Sequence, residues 1–141
     1  MNKKFWTGFV VVFVVIAVYE FIVNELFLSS AYQATANLWR PPAEMKIWLF
    51  YIVYLFIAFF VTLIFSKGYE GKGIVEGLRY GFYVGMLMSV PMAYGTYASM
   101  PMPYSLALQW FISGLIEYII VGIVLALVYG KQAMVTPVGK T

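Results

Sequence analysis

Four apolar runs, Phe5–Leu28, Ile47–Phe65, Gly77–Tyr97 and Leu106–Tyr129, constrain this 141-residue chain more than any single motif does. Each approaches or exceeds the roughly 20 residues that a helix needs to cross a ~30 Å hydrocarbon core. Stretches such as Val10-Val11-Val12-Phe13-Val14-Val15-Ile16 do not alternate, whereas the strands of a membrane β-barrel alternate in segments of about ten residues. Hydrophobic residues make up 63% of the chain and charged residues 11%, against about half and a quarter in soluble domains. The expectation is an all-α polytopic membrane protein, with residues 1–141 forming a single transmembrane domain built as a four-transmembrane-helix bundle.

The basic residues report orientation. Lys3 and Lys4 precede the first run, Lys67, Lys72 and Arg79 lie between the second and third, and Lys131 and Lys140 follow the fourth. Only Arg40 and Lys46 lie between the first and second. Seven against two is a positive-inside bias, which predicts both termini and the middle loop on the cytoplasmic side. Residues 31–46 and the uncharged turn Ala98–Ser105 then face outward. Trp6, Trp39, Trp48 and Trp110 fall near the ends of runs, where aromatic belts are expected. Lys3-Lys4 followed by an apolar stretch also resembles a signal peptide, but the stretch is longer than an h-region and reads as a retained first span. The net charge of +3 is spread along the chain, so the expected partner is the lipid bilayer rather than nucleic acid.

The third run carries a small residue at every fourth position: Gly77, Gly81, Gly85, Ser89 and Ala93. In lipid such a ladder lets a second helix approach closely, because association there depends on van der Waals fit. Gly114 and Gly122, with Ala126, give the fourth run a matching line. The third run is therefore expected to be the helix on which the others pack. The second run, with large residues all round and only Thr62 as a small polar break, is expected to face lipid.

Ionisable groups inside a membrane mark functional sites by default. Glu20 in the first run and Glu117 in the fourth are the two deep ones, and Asn24 lies one turn beyond Glu20 on the same face. At 1.5 Å per residue, Glu20 stands about 22 Å from the start of its run and Glu117 about 18 Å from the end of its own. The two carboxyls share a depth and meet if the first and fourth helices are neighbours. Pro91 falls at the same level and is expected to kink the third helix, freeing the Leu87 carbonyl. Ser89, Tyr94 and Ser113 add hydroxyls nearby. One reading is structural, with protonated glutamates tying helices together; the other is functional, with the pair binding a proton, a cation or a polar ligand.

Cysteine and histidine are both absent, which excludes thiol catalysis and the usual zinc, haem and iron–sulfur ligand sets. No nucleophile–base pair can be assembled, so no enzyme and no cofactor is expected. Met88, Met92, Met100 and Met102 are thioethers of the kind that suits Cu(I), and Met88-x-x-x-Met92 is similar to the motif of copper transporters. The alternative is that these methionines are flexible packing residues.

Two family resemblances follow. Ala17-x-x-Glu20-x-x-x-Asn24 resembles the first span of the small multidrug-resistance transporters, which implies a carboxylate that exchanges protons for a cationic drug. This chain departs from that pattern in its second glutamate, its long loop after the first span and its strong charge bias. The segments Tyr32–Pro41 and Met88–Tyr97 are similar to blocks in small uncharacterised four-span bacterial inner-membrane proteins, which implies an inner-membrane location and no known activity. Tyr32–Pro42 is then either an interfacial loop anchored by Trp39 and Arg40 or a docking segment for a partner. The leading functional expectation is a non-enzymatic accessory protein that packs with itself, as a homo-oligomer, or with a larger membrane complex. The second is a small proton-coupled carrier using Glu20 and Glu117.

Overall fold

The computed structural model describes residues 1–130, so Lys131 and Lys140 lie outside the described residues. Every regular element within them is helical: α1 (Lys3–Ile22) leading into a wide π turn at Val23–Phe27, α2 (Ser29–Ala34), α3 (Ile47–Gly68), α4 (Ile74–Ser99) and α5 (Tyr104–Tyr129). Single 3-10 turns at Ala36–Leu38 and Pro42–Glu44 complete the segment expected to be loop. Three stretches, Lys3–Phe27, Ile47–Gly68 and Tyr104–Tyr129, are long and apolar enough to cross a membrane. α4 has the length, 26 residues, but its glycines, Ser89, Thr96, Glu76 and Arg79 dilute its apolarity. The residues that make it a packing surface also make it the least lipid-like helix.

The helices run antiparallel to their neighbours. Asn2 caps α1 by accepting the Phe5 N–H at 3.0 Å, and the Lys4 ammonium donates to the Tyr129 carbonyl at 2.8 Å. A cation at the unsatisfied carbonyls of a helix C-terminus complements its dipole. Phe5 meets Phe59 edge-on, with ring centroids 5.4 Å apart. The start of α1 therefore lies beside the ends of α3 and α5. This is called the Lys4 end below, and the opposite one the Trp39 end.

The centre of the bundle is α5, not α4. α5 packs along α4 on one side and α1 on another, while α3 leans on α1. The ladder explains why α4 lies closest to α5: Gly77, Gly81, Gly85, Ser89 and Ala93 are all buried, and all lie on one stripe. A Cβ built on Gly77 or Gly81 would land on the carbonyl oxygen of Gly122 or Tyr118, and one on Gly122 would land on the Gly77 carbonyl. The two backbones touch, which is the close approach that small residues permit.

Pro91 sits on the opposite face of α4 and is exposed. The helix continues through it to Ser99, so Pro91 shapes no polar site between helices. α3 divides into two halves. Its second half buries Ala58, Val61, Thr62 and Phe65, which corrects the expectation of a wholly lipid-facing helix. Its first half, through Phe56, is exposed at nearly every position.

Two turns close the chain locally. Between α3 and α4, Gly71 and Gly73 take φ of +78° and +76°, a region that L side chains rarely adopt. That reversal aims the backbone N–H groups of Glu70 and Lys72 at the buried Glu76 carboxylate, at 2.6 and 2.8 Å. At the Trp39 end, α2 folds back so that Leu28, Met102, Leu106 and Ala107 form a second small core, against which Tyr32, Trp39 and Trp110 pack.

Candidate functional site

Trp110, Ser113, Glu117 and Val121 recur at helical spacing on α5, forming a stripe that faces α1. Opposite it, α1 presents Tyr19 and Glu20, and its final wide turn presents Asn24. Glu117 is 6% exposed and its carboxyl is in hydrogen-bond contact with that of Glu20. Two carboxyls can share a hydrogen bond only if at least one of them carries a proton, so the contact defines a proton-holding pair. The Tyr19 hydroxyl donates to the Ser113 carbonyl at 2.7 Å, fixing α1 against α5 one turn from the pair. On α3, Tyr54 lies near both carboxyls.

A chain of hydrogen bonds leads from the pair to the Trp39 end. The Asn24 amide donates to Glu20 Oε2 at 2.7 Å and to the Glu20 backbone carbonyl at 2.8 Å. Its Oδ1 accepts from the Tyr32 hydroxyl at 2.8 Å, which in turn accepts from Trp110 Nε1 at 2.9 Å. Every donor points the same way, towards Glu20. Aligned donors polarise one another and strengthen as a set, and the polarity of this chain suits negative charge on Glu20. Burial pushes the acidity constant of Tyr32 up, opposed by the Trp110 hydrogen bond and reinforced by the charge of Glu20, so Tyr32 remains a neutral donor.

The π turn makes this arrangement possible. Leu28 donates to the carbonyl of Val23, five residues back, at 2.9 Å, and such turns occur mostly as single insertions at functional sites. Thr35, Trp39 and Trp110 then hold the cap in place. Trp39 Nε1 donates to Thr35 Oγ1 at 2.9 Å, and the Trp39 ring lies 5.7 Å from that of Trp110. These two tryptophans belong to the network above the carboxyls and are more than a belt.

The chain matches no family model, no curated protein and no solved structure. Its own geometry therefore carries the functional reading.

Of the residues singled out in the sequence, Glu20, Asn24, Glu117 and Ser113 come together. Ser89 does not join them: its hydroxyl is buried against Gly114 in the α4–α5 interface, without a hydrogen-bond partner. Tyr94 packs at a tilt against Tyr104 and Phe111, with ring centroids 6.3 and 5.8 Å apart, on the α4 side of α5. The methionines divide as well. Met88 and Met92 are exposed while Met102 is buried beside Leu28 and Leu106. Tyr19, Tyr32, Tyr54 and Glu76 were not singled out in the sequence. Only the Trp110–Ser113–Glu117 spacing could have signalled part of the network in advance.

Proposed function

We propose that the chain is a four-span, non-enzymatic protein of the bacterial inner membrane that binds and releases a proton at the Glu20–Glu117 pair, as a small proton-coupled carrier. The observation behind this reading is the contact between two carboxyls contributed by the first and last helices. A purely structural tie between α1 and α5 needs only neutral polar groups. A pair of carboxyls adds a titratable proton in a setting where ionisable groups are otherwise avoided.

The fourth span is α4. It lies against the apolar α5 along the whole ladder, so a membrane crossed by one is crossed by the other. Lys3, Lys4, Lys67, Lys72 and Arg79 gather at the Lys4 end, and the positive-inside rule assigns that end, with both termini, to the cytoplasm.

The accessory reading keeps one observation in its favour, the exposed first half of α3 with Trp48, Phe50, Tyr51 and Phe56. The ladder no longer supports self-association, because α4 and α5 of a single chain use it up. A pH-gradient-driven proton flux into proteoliposomes separates the readings. The carrier predicts a flux that disappears in Glu20→Gln/Glu117→Gln while the helices stay folded. A flux that persists in that folded variant sinks the carrier, and the accessory reading then stands.

A further inference from the structure

Between the carboxyl pair and the Lys4 end lies a buried apolar layer. Val12 and Ile16 of α1, Ala58 of α3, and Val121 and Leu125 of α5 are each 2% exposed or less and pack as one core. Ile16 and Val121 sit one helical turn from Glu20 and Glu117, on the Lys4 side of them. None of the five carries a polar side-chain atom, and the nearest buried hydroxyls on the Lys4 side, those of Thr62 and Tyr129, lie at the level of Gly8 and Leu125 and have no hydrogen-bond partner.

Towards the Trp39 end the surroundings differ. Glu20 and Asn24 are only half-buried, the Asn24–Tyr32–Trp110 chain reaches the cap, and the exposed first half of α3 leaves its Tyr54 flank of the pair loosely covered. The titratable groups facing the pair are phenols: Tyr19 on α1, Tyr32 on the cap, Tyr54 on α3 and Tyr118 on α5.

Building on the proton-binding reading above, we infer that this structure is a one-sided state. The pair exchanges its proton only with the compartment at the Trp39 end, and the layer of Val12, Ile16, Ala58, Val121 and Leu125 seals it from the Lys4 end. Release takes the shared proton to water at the Trp39 end and leaves two carboxylates; uptake reverses the step. Asn24 and Tyr32 are positioning residues. An amide is a poor relay, so they hold the Glu20 carboxyl in place and donate to it without carrying the proton themselves.

The test uses the full chain in sealed inside-out and right-side-out membrane vesicles. Trp6→Phe and Trp48→Phe leave Trp39 and Trp110 as reporters beside the network. A pH jump on the Trp39 side should change their emission, the same jump on the Lys4 side should not, and Glu117→Gln should abolish the response. Asn24→Leu removes the donor to Glu20 and should move the midpoint of the response to higher pH. Tyr32→Phe, which keeps the ring, should move it less and in the same direction. Ile16→Ser, which makes the apolar layer polar, should produce a response from the Lys4 side. Equal responses from both sides of the unmodified network overturn the one-sided state and leave proton binding intact. No response from either side overturns proton binding itself. An unmoved midpoint in both Asn24→Leu and Tyr32→Phe overturns the positioning role.

Discussion

Gly81→Ala is the smallest change that tests how α4 and α5 are joined. The added methyl would fall on the Tyr118 carbonyl oxygen and stand 2.7 Å from the Ile119 Cα, where ordinary contact begins at 3.4 Å. Both obstacles are backbone, so no rotamer change relieves them. The closer carbonyl oxygen requires the helices to part by about 1 Å, and a gap of about 0.5–1 Å forfeits a quarter to a half of each pairwise attraction across it. The expected destabilisation is about 1–3 kcal/mol, the range of overpacked cores. Gly95→Ala is the control, because nothing lies within 4 Å of its Cβ position. There the better helix propensity of Ala should be neutral or stabilise by up to about 1 kcal/mol. A second substitution, Gly122→Ala, points at the same gap, with its methyl 2.9 Å from the Gly81 nitrogen. Once the helices have parted it should cost less than it does alone, with a coupling of about 0.5–3 kcal/mol. Reversible unfolding in detergent micelles, followed by tryptophan emission, compares the three single variants and the Gly81→Ala/Gly122→Ala double variant with the unmodified protein. If Gly81→Ala proves as harmless as Gly95→Ala, the backbone contact argued above is wrong.

Two further outcomes follow. Asn24→Leu leaves the Tyr32 hydroxyl and Glu20 Oε2 without their partner and should destabilise by about 1–3 kcal/mol in the same unfolding assay, with Tyr32→Phe losing less; equal, negligible losses would contradict the network. At the Lys4 end, the hydrogen bond and charge of Lys72 hold the exposed Glu70 carboxyl below its usual acidity constant. Because the folded value is the depressed one, the small contribution of this ion pair is present above about pH 4.3, the ordinary carboxylate value, and is lost as the pH falls through the folded one. In hydrogen exchange at residues 69–73, Glu70→Gln should therefore lower the protection of the loop slightly at neutral pH, and the difference from the unmodified protein should vanish in acid.

The helical architecture was legible because apolar runs of membrane length admit few other structures. The ladder was legible too, since small residues every four positions define one stripe of a helix wherever it packs. What the spacing could not convey was the partner. A stripe on α4 says that something comes close, but only the complementary backbone of Gly114, Gly122 and Ala126 says that it is α5. Placing the hub on α4 was the consequence of reading one face without its counterpart. The depths of Glu20 and Glu117 could be counted along straight helices, yet Pro91, at the same depth, lies on the wrong face. Depth fixes one coordinate of a side chain, and rotation about the helix axis fixes the other. Tyr32 was illegible for a different reason. Its hydroxyl reaches Asn24 only because a wide turn and a fold-back occur between them, and neither has a residue pattern of its own.

The carboxyl pair also has a history during synthesis. Glu20 emerges with the first helix, and its counterpart Glu117 arrives with the last, roughly a hundred residues later. At about 5–20 residues per second, Glu20 spends on the order of 5–20 seconds in or beside the bilayer before α5 can meet it. Asn24, four residues away on the same segment, is the one partner it already has, and the amide that donates to Glu20 Oε2 in the finished protein is available from the start. The contact that orients the mature site is thus also an escort for a nascent helix, and a chain lacking Asn24 should insert less efficiently and give a lower yield of the finished bundle.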